Sequence, residues 1–218
     1  MTTPGHTADA ASTTLVTGPV RSGKSRHAEH LLRQEPSVTY VATGRRADPA
    51  DPEWSRRVED HQVRRPPSWR TVETTDVAAA IEAADGAVLV DCLGTWLTAI
   101  VDETGWHDLD AAAARVRSEG RRLVETLCAT SLPVVVVTNE VGWSLVPTTA
   151  SGRFFQDELG RLNALVAAAS AGVHLVVAGR VLDLSGAAVV PVEPGPTAPA
   201  APTGPTSPPR PARSSPDA

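Results

Sequence analysis

The chain is poor in three features that would define its class: cysteine, long apolar runs and excess positive charge. Only two of its 218 residues are cysteines, Cys92 and Cys128, and both lie in apolar sequence surroundings. We expect reduced thiols in the core of a cytosolic protein, because a disulfide-stabilised or metal-bound fold needs more cysteines. No apolar run approaches the ~20 residues that cross a bilayer. Residues 1–13 are small and polar, so we expect a flexible start without signal-peptide features, and a cytoplasmic protein with no membrane insertion.

The net charge is -5 at pH 7. This acidity argues against a general binder of nucleic acid or of anionic membranes, and it favours a small-molecule substrate. From Pro191 onward, ten of the 28 residues are proline and most others are Ala, Thr, Ser or Gly. Such a segment cannot bury enough apolar surface to fold. We therefore expect one folded domain over residues 14–186 and a disordered tail over residues 187–218.

Lysine is almost absent, since Lys24 is the only one and every other strong base is arginine. It belongs to a stretch that fits the phosphate-loop pattern G-x-x-x-x-G-K-[ST], made of Gly18, Pro19, Val20, Arg21, Ser22, Gly23, Lys24 and Ser25. A compact ammonium fits inside such a loop better than a planar guanidinium does. A strand before the loop and a helix after it would aim backbone N–H groups and the helix dipole at a polyphosphate. The pattern therefore predicts a nucleotide site, with the Ser25 hydroxyl as a ligand for Mg²⁺; the alternative is a glycine turn with a solvated lysine.

Apolar runs alternate with helical patterns along the rest of the chain. The predicted strands are 14–17, 38–42, 69–73, 87–90, 133–138 and 173–178, and the predicted helices are 26–33, 53–63, 77–84, 93–101, 109–130 and 151–171. Some of the strands are continuously apolar, which is typical of parallel strands covered on both faces. The alternation predicts an α/β fold of the P-loop NTPase type, a mostly parallel sheet with helices on both faces.

Polar side chains follow two of these strands, at the sheet edge where α/β folds bind ligands. Asp91 follows strand 87–90 and is our candidate for holding the Mg²⁺ shell opposite Ser25. Its alternative is a capping role for the helix that begins at Leu93. Asn139 and Glu140 follow strand 133–138 at the same edge, where capping of the strand end is the alternative.

Further stretches carry a more specific pattern. They are Arg26-His27-Ala28-Glu29 after the phosphate loop, Tyr40-Val41-Ala42-Thr43, the spaced set Arg57, Val58, His61, Arg65, Pro66, Trp69, Thr71 and Glu73, and Asn139-Glu140-Val141-Gly142 with Val146, Pro147, Arg153, Phe155, Asp157, Gly160 and Asn163. Together with the loop they resemble the bifunctional adenosylcobinamide kinase / adenosylcobinamide-phosphate guanylyltransferase family of cobalamin biosynthesis. The resemblance extends from Leu15 to about Leu184, nearly the whole predicted domain.

The resemblance implies an enzyme with two steps. The first transfers the γ-phosphoryl group of ATP or GTP to the aminopropanol hydroxyl of adenosylcobinamide. The second transfers GMP from GTP to that phosphate through a GMP-histidine intermediate, releases pyrophosphate and gives adenosyl-GDP-cobinamide. The motif assigns the histidine to His61, where a neutral imidazole is a competent nucleophile and helical spacing brings Arg57, Arg64 and Arg65 within one turn. Without the resemblance, a solvated histidine on a charged helix is the simpler interpretation.

The resemblance also assigns the other contacts. Thr43, Gly44 and Arg45 match a nucleotide-contacting loop. The guanine contacts match Arg65, Pro66, Pro67, Ser68, Trp69 and Glu73, where a carboxylate can accept both N–H donors of the guanine edge. A solvated strand end is the alternative for Glu73. Asn139 and Glu140 would shape the cobinamide side, and relatives of this family form trimers, which implies a homo-oligomer.

Some roles stay open in the sequence. Arg153 fits either a phosphate contact or an ion pair with Asp157 one helical turn on. The other histidines, which are His6, His27, His30, His107 and His174, are expected to have no catalytic role. Two other functions remain possible: a different small-molecule kinase on the same fold without a covalent histidine, and a GTP-binding regulatory protein.

Overall fold

Seven strands form one sheet in the order β3-β2-β4-β5-β1-β6-β7 in a computed structural model that describes residues 13–45 and 48–190. The elements are β1 (Thr13–Thr17), α1 (Lys24–Leu31), β2 (Val38–Ala42), α2 (Pro52–Val63), β3 (Arg70–Glu73), α3 (Val77–Glu82), β4 (Ala87–Asp91), α4 (Leu93–Thr104), α5 (Leu109–Ala129), β5 (Val134–Val137), α6 (Ala150–Ala168), β6 (Gly172–Val177) and β7 (Arg180–Asp183). Most of the predicted flexible start and the predicted tail from residue 191 lie outside the described residues.

All strand pairs are parallel except β6 with β7, which is antiparallel. The prediction of a mostly parallel, helix-covered sheet is therefore confirmed. Successive residues of the apolar strand β4 point to opposite faces: Val88 and Val90 pack against helices α3 to α6, whereas Ala87 and Leu89 pack on the α1 side. Burial on both faces explains why this strand is apolar throughout.

Except for α1, which follows Gly23, the described helices begin where the sequence offers capping side chains. The carboxylates of Asp51, Asp76 and Asp108 accept hydrogen bonds from the backbone N–H groups of the first turns of α2, α3 and α5, which would otherwise lack partners. Helix α4 is capped by Cys92 together with Thr95. Asp91 is therefore not the cap of this helix, and its carboxylate is available for other contacts.

Two sequence expectations about the structure were wrong. The last strand was expected to be 173–178, but the chain turns at Ala178 and Gly179, both with positive φ, and adds the antiparallel strand β7. All four β7 residues are exposed, so the strand has no core-facing apolar pattern by which it could be recognised. Cys128 is exposed on α5 rather than buried, and Cys92 is half-buried.

Among the described residues, none of the helices combines the length and apolar character that crossing a membrane requires.

Candidate active site

The phosphate loop joins β1 to α1 and is held by backbone hydrogen bonds from two other connections at the same edge of the sheet. The N–H of Glu140, after β5, donates to the carbonyl of Gly18 at 3.1 Å, and the N–H of Gly179, in the β6–β7 turn, donates to the carbonyl of Ser22 at 3.1 Å. Gly23 takes φ 102° directly before the helix. The Lys24 side chain is buried, with Nζ 3.4 Å from the carbonyl oxygen of Pro19 inside the loop. The loop thus holds the ammonium group at its own backbone next to the start of a helix, the arrangement that an anion cradle requires.

A cavity of about 370 Å³ lies beside this loop at the carboxyl edge of the sheet. Its lining includes ten of the residues that the sequence predicts for the site, namely Val20, Lys24, Ser25, Gly44, Arg45, His61, Arg65, Glu73, Asp91 and Asn139. An adjoining opening of about 630 Å³ is lined by residues 21–26, from the phosphate loop and the start of α1, and by α2 residues that include His61. His61 therefore lies in both spaces, between the phosphate loop and the ends of the strands.

Asp91, at the end of β4, holds the imidazole of His61. His61 Nδ1 lies 3.3 Å from Asp91 Oδ2, and the Tyr40 hydroxyl donates to the same oxygen at 2.9 Å. Burial alone would raise the pKa of Asp91, but the hydrogen bonds from His61 and Tyr40 and the nearby charge of Lys24 bring it below its usual value. Burial and the charge of Asp91 raise the pKa of Tyr40 well above its usual value. At neutral pH the network is a carboxylate that accepts from a phenol and an imidazole.

Arg65 connects this network to α2 and β3. Its guanidinium carbon lies 3.8 Å from the centre of the Tyr40 ring, a cation–π contact. Its Nε donates to the carbonyl of His61 at 2.8 Å, and a terminal nitrogen donates to Thr71 Oγ1 at 3.0 Å. Arg64 instead pairs with Glu29 of α1 at 3.0 Å. The side chain of Arg57 lies outside the described part of the chain.

The predicted nucleotide-contacting loop after β2 divides into a structural and an exposed part. Thr43 is buried, and its hydroxyl is hydrogen-bonded at 2.8 Å to both the carbonyl of Cys92 and the hydroxyl of Thr95. Gly44 and Arg45 line the cavity, and the Arg45 guanidinium lies over the ring of Trp54 at 5.6 Å. Thr43 thus supports the loop, whereas Gly44 and Arg45 face the space where a ligand would lie.

Several predicted contacts are not brought to the cavity. Trp69 is buried in the core on the α1 side, directly before β3 begins. Pro66 lines a separate cleft beside α1. Pro67 and Ser68 are not among the described residues that line the cavity or the adjoining opening. Arg153 donates to the carbonyls of Pro147 and Thr148, both at 2.9 Å, so its guanidinium is held by the loop before α6 rather than by the predicted ion pair with Asp157.

Asn139 and Glu140 have different surroundings. Asn139 lines the cavity, and its backbone carbonyl accepts from Asn163 Nδ2 at 3.0 Å. Glu140 accepts a hydrogen bond from the Thr17 hydroxyl at 2.8 Å, which ties the end of β5 to the end of β1. The first residue can touch a ligand, and the second braces the phosphate loop.

Tyr40 lines the cavity and contacts Asp91, but sequence reasoning gave it no role, although it stands within one of the motifs. A signal was present: it is the only tyrosine of the chain, set in an otherwise apolar strand. A buried phenol needs a hydrogen-bond partner, and the carboxyl ends of neighbouring strands are where polar partners gather.

Two histidines expected to have no role form a pair beside the phosphate-loop helix. His27 Nε2 lies 3.0 Å from His174 Nδ1 of β6, at a cleft of about 710 Å³ that also includes His30 and Arg33. Burial lowers the pKa of His27 most, and electrostatic repulsion from His174 and then His30 lowers it further. His27 therefore resists protonation while the protein is folded.

The histidine pair predicts an acid-sensitive stability. Because the pKa of His27 is lower in the folded state than the usual 6.5 of the unfolded chain, the unfolded chain binds the proton first. We expect the melting temperature to fall as the pH decreases from about 6.5 toward the pKa of His27 in the folded protein. Above pH ~6.5 this histidine should cause no further change in the melting temperature. Thermal unfolding of wild type and His27→Asn from pH 7.5 to 5.5 tests this. The variant should show a flatter dependence, and identical dependences would contradict the prediction.

Comparisons with known proteins agree with these motifs. A family model described as cobinamide kinase / cobinamide phosphate guanyltransferase matches residues 14–184. The bifunctional adenosylcobalamin biosynthesis protein CobU of Salmonella typhimurium is 38% identical over 176 residues, covering 76% of this chain and 95% of that protein; its Escherichia coli namesake gives the same values. The bifunctional protein CobP of Pseudomonas aeruginosa is 37% identical over 179 residues, with coverage of 79% and 96%.

Solved structures give weaker matches. A type III secretion system ATPase aligns with TM-score 0.46 and 12% identity over 75% of this chain and 50% of that chain. The P4 protein of bacteriophage phi6 with ADP aligns with TM-score 0.40 and 17% identity over 79% of this chain and 54% of that chain. Similarity at this level carries no conclusion about function.

Proposed function

Because this chain belongs to the cobinamide kinase / cobinamide phosphate guanyltransferase family, we propose that it catalyses both reactions of that family in cobalamin biosynthesis. It phosphorylates adenosylcobinamide with ATP or GTP. It then transfers GMP from GTP to adenosylcobinamide phosphate through a GMP adduct of His61, giving adenosyl-GDP-cobinamide and pyrophosphate. In keeping with the sequence resemblance, we propose a cytoplasmic homo-oligomer, with a trimer as the expected state.

One observation carries the covalent step: the His61 imidazole contacts Asp91 in a cavity that Lys24 and Ser25 also line. Contact of Nδ1 with a carboxylate favours the tautomer with the proton on Nδ1 and leaves the Nε2 lone pair as the nucleophile. Nε2 attacks the α-phosphorus of GTP, and the bond from that phosphorus to the bridging oxygen breaks as pyrophosphate leaves. An oxygen of the acceptor phosphate then attacks the same phosphorus, and the N–P electron pair returns to Nε2.

The residues at the phosphate loop fit Mg²⁺. Asp91 is ionised because its pKa lies below the usual value. Tyr40 and His61 both contact its Oδ2. We therefore propose Oδ1 of Asp91, with the Ser25 hydroxyl, as ligands of the Mg²⁺ ion. Hard oxygen donors of this kind suit Mg²⁺. When bound, the ion neutralises phosphate charge during transfer. Lys24 and the N–H groups of the loop hold the outer phosphates in both reactions.

Base recognition is assigned to the far end of the cavity. Glu73, at the end of β3, lines the cavity, and a carboxylate there can accept the N–H donors of the guanine edge. Arg45 and Trp54 lie on the same lining and offer a flat surface beside the base. We propose that these residues favour GTP in the second step, while Asn139 lies on the acceptor side.

Guanylylation of His61 is testable with GTP labelled at the α-phosphate. After incubation with Mg²⁺ and denaturing electrophoresis, wild type should retain label that is lost in acid, as a phosphoramidate would lose it. His61→Ala should retain none, because the substitution removes the nitrogen that forms the adduct. His107→Ala is the matched control, since this histidine is exposed outside the cavity, and it should label as wild type does.

The other outcomes separate the remaining functions. Phosphorylation of adenosylcobinamide without any label on the wild-type chain would leave a kinase that uses no covalent histidine. GTP binding without either reaction would leave a nucleotide-binding regulatory protein. Label that persists in His61→Ala would assign the adduct to another residue.

A further inference from the structure

The loop between β5 and α6, residues 138–149, exposes large apolar side chains beside the cavity. Trp143 is 62% exposed, Leu145 93% and Val146 76%. Residues 141–152 contain no ionisable side chain, in a chain where 21% of residues are charged. Exposed apolar surface of this extent is unusual on a protein unless it contacts something.

The loop is held in place by hydrogen bonds to α6. Gln156 Nε2 donates to the carbonyl of Val141 at 2.7 Å and to the Ser144 hydroxyl at 3.0 Å. Arg153 donates to the carbonyls of Pro147 and Thr148 at the other end of the loop. With both ends tied to one helix, the loop presents its apolar side chains on a fixed support, so little ordering entropy is lost when they bind a ligand.

This apolar surface continues from the catalytic cavity. Val141, at the start of the loop, lines the cavity together with Phe155 of α6. Across the opening, Val20 of the phosphate loop lines it as well and is 61% exposed. An acceptor group that enters the cavity would thus keep the rest of its molecule in contact with these side chains.

We infer that the β5–α6 loop binds the corrin macrocycle of adenosylcobinamide, an inference that rests on the function proposed above. The cavity of about 370 Å³ has to admit nucleotide phosphates and the acceptor hydroxyl, and pockets that enclose even one drug-sized ligand take roughly 300–1,000 Å³. The macrocycle must therefore lie outside, against the adjoining surface. It has apolar faces and a rim of neutral amides, which matches residues 141–149 of the loop, where the side chains are apolar or carry hydroxyl groups and none is charged. Trp143 offers the largest flat surface for such a ring.

The test uses Trp143→Ala and Leu145→Ser in the full chain, with Leu182→Ser as control. Leu182 is 53% exposed on β7, so its change alters surface apolarity elsewhere. We expect Trp143→Ala to raise the KM for adenosylcobinamide in phosphorylation by ATP by about tenfold or more with kcat nearly unchanged, the pattern of lost uniform binding. Labelling of His61 by GTP alone should be unaffected, because that step needs no acceptor. The control should match wild type in both assays.

Each result decides between the possible occupants of the loop. A raised KM in a variant whose mass by light scattering equals that of wild type supports the inference. An unchanged KM in both loop variants overturns it, and a change of mass with unchanged KM assigns the loop to contacts between copies of the chain. Absence of both labelling and phosphorylation in wild type overturns the proposed function itself, which is a different outcome from failure of the loop inference.

Discussion

Asp91→Asn is expected to lose guanylylation and phosphoryl transfer together. The asparagine keeps the shape of the side chain but removes the charge that its lowered pKa maintains in the wild type. It also brings an amide NH₂ group to a site where Tyr40 and His61 both require an acceptor. Removing the charged group that orients a catalytic histidine typically lowers the rate by ~10²–10⁴-fold. We expect the rate of adduct formation in Asp91→Asn to decrease by a factor in this range.

Two measurements separate this from a loss of folding. The rate of His61 labelling and the rate of adenosylcobinamide phosphorylation should both fall, whereas the thermal unfolding transition should remain cooperative. Asp110→Asn, an exposed change in the first turn of α5, provides the matched control and should leave both rates unaltered. Adduct formation at the wild-type rate in Asp91→Asn would show that His61 needs no help from this carboxylate.

Gly18→Ala is expected to destabilise the protein and to abolish nucleotide binding. Gly18 has φ 154°, and a Cβ there would lie 2.2 Å from the backbone oxygen of Val176 in β6. That oxygen belongs to a strand paired with β1, so it cannot move without disturbing the sheet. Overpacking and an unfavourable φ together cost about 2–6 kcal/mol in the free energy of unfolding.

Gly160→Ala in α6 is the matched control for this prediction. Within the described part of the chain, no atom outside the helix backbone lies within 4 Å of the position that its methyl group would take. An alanine within a helix is favoured over glycine by about 1 kcal/mol. Denaturant unfolding should therefore shift in opposite directions for the two variants, and GTP affinity should be lost only in Gly18→Ala. Wild-type stability and affinity in Gly18→Ala would mean that the loop can relax away from β6.

The sheet could be predicted because its signals are local. The run Val134–Val137 and the strand Ala87–Asp91 are too apolar for exposed structure, and the intervening helices carry their own caps, such as Asp76. Strand β7 could not be predicted in the same way, since an exposed edge strand is defined by its pairing with β6 and not by burial. Cys128 shows the same limit: an apolar neighbourhood in sequence does not say which face of a helix a residue occupies.

The site could be predicted only in part, for a related reason. The phosphate loop is contiguous, so its spacing alone identifies it. The Tyr40–Asp91–His61 network joins β2, β4 and α2, and its distances depend on strand order, which no single motif encodes. Trp69 and Arg153 lie within the family motifs but contact the core and backbone carbonyls, which shows that a motif also contains residues that hold the fold.

The position of β1 within the sheet affects how the protein is made. Among the described strands β1 is synthesised first, yet it pairs with β5 and β6, whose residues 134–137 and 172–177 come much later in the sequence. Pairing of strands that are far apart in sequence is slow, because the chain between them loses conformational entropy before the contacts that stabilise the pair can form. On the ribosome, the phosphate loop therefore has no partner strands until most of the domain has emerged. Nucleotide therefore cannot assist folding before β5 and β6 have been synthesised and have paired with β1.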